Sequence, residues 1–356
     1  MKKTLTISLD AMGGDEAPRM VIEGANIARR QYRQAHFLFF GDKAQIEPLL
    51  KEFPKLETIS EIRHTDEMVV NEDKPSIALR QRRNSSMRLA INAVKDGEAQ
   101  CVISAGNTGA LMAMAKFVFK VLPGISRPAI AGYLPTLKEG RDTVLLDMGA
   151  NIQCDANNLS EFAVLGAVYS KEVLGVNEPA IGLLNVGEEE MKGNEQVKEA
   201  ATLLSEHKNL PGKFVGFVEG NDITSGAVDV TVTDGFTGNI ALKSIEGSAK
   251  LVSTMLKRAL KSSLLAKLGL IFMWPALMGL KKRMDPSRYN GGIFMGLRGI
   301  CIKSHGGANN IGFASAIGVG ADIALSDFNE KVARELEKLH EAQELEKIED
   351  LSVEAV

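Results

Sequence analysis

Cysteine is scarce in this 356-residue chain: Cys101, Cys154 and Cys301 stand far apart and form no C-x-x-C pair. Such an odd, unspaced set argues against a disulfide framework and against a zinc site, and favours a reducing cytoplasm. Aromatic residues make up only 5%, with a single Trp. An excess of one charge is missing too. Lys and Arg number 42 against 45 Asp and Glu, a net of -3, which speaks against both disorder and a nucleic-acid binder. No stretch reaches the roughly 18–20 apolar residues of a membrane span. The longest uncharged apolar run, Leu268–Leu280, is interrupted by Pro275. The apolar run Thr4–Leu9 ahead of Asp10 is too short for a signal peptide, so none is expected.

What is present is a regular alternation of short apolar runs and amphipathic stretches. Strands are expected at Leu5–Leu9, Phe37–Phe40, Cys101–Ser104, Ala129–Leu134, Val144–Leu146, Ala180–Leu184, Phe214–Val218, Val228–Val232 and Ile300–Ile302. Helices are expected at Pro75–Val94, Ala110–Phe119, Ser160–Leu174, Asn194–Leu204, Gly238–Leu260 and Ala308–Ala324. This order predicts an α/β fold with a mostly parallel sheet covered by helices on both faces. Without a low-complexity linker, residues 1–328 read as one domain with an excursion at 262–288. The charged tail 329–356 reads as a solvated helix fraying toward Val356.

Glycine, Asn and Asp gather directly after strands: at 10–15, 104–109, 147–151, 185–193, 219–222, 234–239 and 303–308. In a parallel sheet the ends of successive strands share one edge, so these seven loops are expected to form one active-site rim there, where α/β proteins bind ligands. Glycines that let backbone N–H groups approach, and helix N-termini beyond them, suit an anion. The segments Ser104–Gly109 and Thr233–Gly238 share the pattern Ser/Thr-x-Gly-x-Thr-Gly, too short to claim duplication. Neither G-x-G-x-x-G nor G-x-x-x-x-G-K-[ST] occurs, so NAD and ATP are not favoured. Lys192, Lys303 and His305 can supply side-chain donors at these loops.

Other residues carry competing readings. Cys101 and Cys301 fall in or at strands and read as core thiols, while His36, His64, His207 and His340 read as incidental. Glu188–Glu190 reads as a solvated loop rather than a metal site. Arg80, Arg82, Arg83 and Arg88 fit either a solvated helix face or a patch for an acidic partner. The run Leu268–Leu280, flanked by Lys257, Arg258, Lys281, Lys282 and Arg283, fits a core helix pair, a dimer contact or a reversible membrane foot. The foot is the favoured reading, with Leu270, Ile271 and Trp274 as its contact residues.

Taken in order, Asp10–Asp15, Ser85–Met87, Ser104–Ala110, Leu145–Asn151, Asn185–Gly193, Asp234–Asn239, Tyr289–Gly291 and Lys303–Gly307 resemble successive blocks of the PlsX family of bacterial phosphate acyltransferases. The resemblance runs from about Asp10 to about Gly320, departing at Gly292–Met295, where a small residue, Pro and Leu are expected. It implies a three-layer α/β/α fold like that of phosphotransacetylases and a homodimer on the inner face of the cell membrane. The reaction it implies is acyl-[acyl carrier protein] plus inorganic phosphate giving acyl phosphate, which a membrane glycerol-3-phosphate acyltransferase then uses for phospholipid synthesis. Neither a cofactor, a metal nor nucleic acid is implied.

Within that resemblance, Lys192 is expected to neutralise phosphate or the developing oxyanion and Asn239 to donate to the oxyanion. His305 is expected to protonate the leaving thiolate, or else to be structural. Asp10, Gly13, Gly14, Gly106, Asn107, Thr108, Gly109, Gly235, Thr237 and Gly238 would cradle phosphate. Arg80, Arg82, Arg83, Lys257 and Arg258 would dock the acidic carrier protein. The rival readings are a phosphotransacetylase acting on acyl-CoA and a non-catalytic membrane-docked scaffold for carrier protein.

Overall fold

A computed structural model describes residues 5–207, 210–261, 273–275, 277–279, 286–326 and 328–338. The N-terminal half contains β1 (Leu5–Asp10), α1 (Arg19–Ala28), β2 (Ala35–Gly41), α2 (Lys43–Lys51), α3 (Pro54–Glu57), β3 (Ser60–His64), α4 (Pro75–Gln81), α5 (Ser86–Lys95), β4 (Cys101–Ser104) and α6 (Thr108–Phe119). There follow β5 (Ala129–Pro135), β6 (Asp142–Leu146), α7 (Ala156–Glu172), β7 (Ala180–Leu184), α8 (Glu195–Glu206), β8 (Lys213–Val218), α9 (Asp222–Ser225) and β9 (Val230–Val232). The long α10 (Gly235–Lys261) leads toward β10 (Gly292–Met295), β11 (Ile300–Lys303) and α11 (Asn310–Leu325).

The strands join in one sheet, ordered β3-β2-β1-β4-β11-β10-β5-β6-β9-β7-β8. Side chains alternate between its faces. Ile7, Leu9, Ile103, Ile302, Ile293, Ala131, Leu146 and Val232 enter a core beneath α1, α7 and α11. Val102, Cys301, Phe294 and Ile130 point the other way, under α5 and α6, while Leu145 meets the first turns of α10. Both faces are therefore covered, which is why the central strands read as continuous apolar runs. Helix α7 is buried almost throughout and is fixed at its start by a capping box between Asp155 and Asn158.

The sheet is mostly parallel, as expected, but not throughout: β3, β2, β1, β4 and β11 share one direction, while β10 is antiparallel to both β11 and β5. Strand β5 is antiparallel to β6, and β6, β9, β7 and β8 are mutually parallel. The two outer sets thus point in opposite directions, and their carboxyl ends lie on opposite sheet edges. The expected helix Pro75–Val94 is two, α4 and α5, because Ser85 leaves the helical conformation and its Oγ accepts the Arg88 N–H to cap α5. The stretch Gly292–Met295, where the family pattern is broken, is a largely buried strand that is not among the expected ones. The tail does not begin as a solvated helix. Phe328, Val332 and Leu336, spaced four apart on the helix Phe328–Lys338, are buried in the main core, and Tyr169 meets Phe328 edge-on at 6.0 Å.

Helix α10 carries an apolar stripe that is left open. Beyond its first turns Leu251, Val252, Met255 and Leu256 are exposed, although the helix runs 27 residues, about 40 Å at 1.5 Å per residue. Of the foot residues, Trp274 is exposed, while Leu270 and Ile271 lie outside the described residues, as does 339–356. No single described helix is long and apolar enough to cross a membrane.

Candidate active site

The strand directions divide the seven loops between two edges. Loops 10–15, 104–109 and 303–308 follow β1, β4 and β11 on one edge, while 147–151, 234–239, 185–193 and 219–222 follow β6, β9, β7 and β8 on the other. From β1 to β6 is five strand spacings, about 24 Å at 4.8 Å each. One common phosphate rim is therefore ruled out. His305 stands on the edge opposite to Lys192 and Asn239, so protonation of a thiolate leaving their site is withdrawn as its role.

On the first edge the polar groups are largely engaged with one another. Asp10 is fully buried; Oδ1 accepts from Ser86 Oγ at 2.6 Å, and Oδ2 accepts from Ser104 Oγ at 2.6 Å. Ser104 Oγ in turn accepts the Gly106 N–H at 3.0 Å. A carboxylate so held orders the loop and is a poor phosphate ligand. Its pKa is raised by burial, against the pull of those hydroxyls. The Lys303 ammonium donates to the carbonyls of Ser304 and Ala105, and burial lowers its pKa to about 8.

The glycines there answer to packing. A Cβ on Gly13 would lie 2.5 Å from Asp10 Oδ2 and 2.7 Å from Gly106 N, and one on Gly109 would lie 2.6 Å from Pro75 Cγ. Asn107 caps α6 through Oδ1 and straps the Asn71 and Asp73 carbonyls through Nδ2. Thr108 is exposed and Gly14 is half-buried beside them. The exposed His305 is held by its loop: its N–H donates to Asn290 Oδ1 and its Nδ1 accepts from Gly307.

The second edge is organised by a residue that the motif reading passed over. Asp147 is completely buried; Oδ1 accepts from the N–H groups of Ile130, Gly149 and Ala150, and Oδ2 accepts from the backbone and side chain of Asn151. Burial raises its pKa while these donors pull it down. The signal was available, since Leu9-Asp10 and Leu146-Asp147 each end a strand ahead of a glycine loop. The likeness of the halves is local, because β4 lies on the central side of β1 and β9 on the outer side of β6.

The ordered 147–151 loop seats the start of α10. Gly235 N–H donates to the Asn151 carbonyl at 2.7 Å, and Asn239 Nδ2 donates to the Met148 carbonyl at 3.1 Å. A Cβ on Gly238 would fall 2.0 Å from the Asp147 carbonyl oxygen, so only glycine fits this contact. Asp234 caps the helix, accepting from the Thr237 N–H and Oγ. The Thr237 hydroxyl proton is thus spent on Asp234 rather than offered to an anion. Lys192 is half exposed, 2.8 Å from Glu189, and that carboxylate raises its pKa. Its loop is tied by Asn185 Nδ2 donating to the Lys192 carbonyl at 3.0 Å.

Lys192 and Asn239 therefore follow neighbouring parallel strands, β7 and β9, on one edge beside a helix N-terminus. A cation, an amide donor and a helix N-terminus on the same sheet edge are the kinds of group that an oxyanion or phosphate requires.

The other candidates lie apart. Arg80 and Arg83 are exposed, and Arg82 pairs with Asp73 at 3.1 Å. Lys257 and Arg258 are exposed on α10, about 27 Å along the helix from Asn239. Asp42, His64 and Asp66 bring ligand atoms within 4.8 Å of one another, but His64 Nδ1 accepts the Lys43 N–H, which places the ring proton on Nε2 facing Asp66. Burial pushes the Cys101 thiol up to about 12 and raises Cys301 as well, in keeping with core thiols.

The chain was compared with known proteins. It is 56% identical over 355 residues to a phosphate acyltransferase of Rhodospirillum centenum, covering 100% of this chain and 99% of that protein. It is 54% identical over 343 residues to a phosphate acyltransferase of Paramagnetospirillum magneticum, covering 96% and 97%. Among solved structures it resembles the EutD phosphotransacetylase from Staphylococcus aureus, at a TM-score of 0.59 and 17% identity over 90% of this chain and 94% of that one. A phosphotransacetylase from Streptococcus pyogenes is similar at a TM-score of 0.58 and 17% identity, over 91% and 95% of the two chains. These structural likenesses establish the α/β/α fold alone. The fatty acid synthesis protein family model matches residues 5–331, and with these relatives it establishes that the chain belongs to this family, the PlsX family of acyltransferases that its ordered sequence blocks resemble.

Proposed function

We propose that the protein transfers a fatty acyl group from acyl carrier protein to inorganic phosphate, at the edge carrying Lys192 and Asn239. The observation that carries this reading is the exposure of both side chains on one sheet edge, Asn239 in the capped first turn of α10, in a chain whose close relatives are phosphate acyltransferases. A phosphate oxygen attacks the thioester carbonyl, the C–O bond forms, and the C–S bond breaks. The proton of hydrogen phosphate ends on the departing thiolate, so the reaction balances without a general acid from the chain. Lys192 offsets charge on phosphate or on the tetrahedral oxyanion, Asn239 donates to that oxyanion, and the held loops keep both in place.

The acidic carrier protein is assigned to the cationic surface of Arg80, Arg82 and Arg83, or to Lys257 and Arg258, with affinity that falls as salt rises. The open apolar face of α10 supports a homodimer. Exposed Trp274, within the basic-flanked segment, supports contact with the inner face of the cytoplasmic membrane. There the acyl phosphate passes to a membrane glycerol-3-phosphate acyltransferase in phospholipid synthesis. Release of free thiol from palmitoyl–carrier protein, with and without phosphate and beside palmitoyl-CoA, tests the reading. Phosphate-dependent release from the carrier protein is expected. Release from the CoA ester alone would replace the reading with a phosphotransacetylase.

A further inference from the structure

Five large apolar side chains stand in solvent on the segments that carry or adjoin Lys192 and Asn239. Ile152 (74% exposed) follows the 147–151 loop, Val186 (78%) and Met191 (90%) belong to the loop after β7, and Phe236 (60%) and Ile240 (51%) belong to the first turns of α10. These segments leave the carboxyl ends of β6, β7 and β9, neighbouring parallel strands in the order β6-β9-β7. Met191 precedes Lys192 in the chain, and Ile240 follows Asn239. Isolated exposed apolar residues are ordinary, but five gathered along one edge beside reactive polar groups mark a binding surface. The collar is separate from the open stripe farther along α10, since Met255 lies about 24 Å along the helix from Asn239.

We propose that this collar receives the aliphatic chain of the acyl substrate. The inference rests on the acyl-transfer reading above and deepens it. The chain begins at the carbonyl that Lys192 and Asn239 address, so its first methylenes leave along whatever surface adjoins them, and that surface is apolar. Charge selects the occupant. Glu188, Glu189 and Glu190 are exposed within the same loop, and Asp234 stands at the helix start. This acidic border disfavours seating the body of an acidic protein on the collar, and in a self-complementary contact with a second copy it would bring like charges together. A hydrocarbon chain meets no such penalty. Met191, unbranched and flexible, adapts to chains of different length.

Two measurements test the proposal. In the triple variant Ile152→Ser, Val186→Ser, Met191→Ser, all at exposed positions, the ratio of kcat/KM for palmitoyl over butyryl thioester is expected to fall at least ten-fold. In the unaltered protein, a palmitoyl–carrier thioester bearing a mid-chain diazirine is expected to label 152, 186–191 or 236–240 on irradiation. An unchanged ratio, or label confined to other segments, overturns the proposal. Lack of phosphate-dependent thiol release by the unaltered protein would instead defeat the acyl-transfer reading, while the label still locates the chain.

Discussion

Asp147→Asn leaves one acceptor oxygen and turns the other into an NH2 donor. The native carboxylate accepts five hydrogen bonds, three on Oδ1 at 3.0–3.1 Å and two on Oδ2 at 2.7 and 2.9 Å. With the amide oxygen in the Oδ1 place, both donors of Asn151 lose their acceptor and face another donor. Each buried donor left unpaired costs about 1–3 kcal/mol, so the gross loss is about 2–6 kcal/mol. A neutral amide is less costly to bury than a charge, which offsets part of this. A net destabilisation of about 2–4 kcal/mol lowers the melting midpoint by roughly 3–5 °C in a chain of this size. Because the same loop presents the Met148 carbonyl that holds Asn239, kcat is expected to fall as well, although Asp147 is a positioning residue that touches no substrate. Calorimetric melts and thiol-release kinetics measure the two effects. A midpoint within 1 °C of the parent protein with unchanged kcat would refute the reasoning.

Three other changes have defined outcomes. Glu189→Gln releases Lys192 from an exposed ion pair, so the KM for phosphate should drop, by no more than about five-fold; an increase would mean that Glu189 orders the lysine. Burial lowers the folded pKa of Lys303 to about 8 from its ordinary 10.5, so between these values the unfolded chain holds more protons and stability rises with pH. Melts from pH 8 to 10 should rise in the parent relative to Lys303→Met, and parallel curves would contradict the burial of that charge. Leu336→Ala should cost about 2–5 kcal/mol in denaturant unfolding if the helix Phe328–Lys338 closes the core, whereas a solvated tail would lose less than about 0.5 kcal/mol.

The layers of the fold were legible because burial on both sheet faces leaves continuous apolar strands, as at Leu5–Leu9 and Cys101–Ser104. Strand direction was not, because the period-two pattern is the same either way. The connector lengths held the answer. Only short links join Pro135 to Asp142 and Met295 to Ile300, too short for a crossover, so both pairs must be antiparallel. With the antiparallel β10–β5 pair that lies between them, they make three reversals across the sheet, which split the glycine loops between edges and part His305 from Lys192. Glycine motifs alone suggested phosphate, yet Gly13, Gly109 and Gly238 each meet a neighbour that a Cβ would strike. Asp147 was missed because a lone Asp after a strand has no distinctive spacing, and its five donors come from the folded loop itself. The burial of Phe328, Val332 and Leu336 was readable from their spacing but was hidden among surrounding charges.

The most direct measurement of the central claim is formation of acyl [32P]phosphate from palmitoyl–carrier protein by the parent chain and by Lys192→Ala. The account predicts labelled acyl phosphate from the parent and a loss of roughly 100-fold or more in kcat for the variant, the scale of one missing oxyanion donor. Equal rates in both would remove Lys192, and with it this sheet edge, from the reaction.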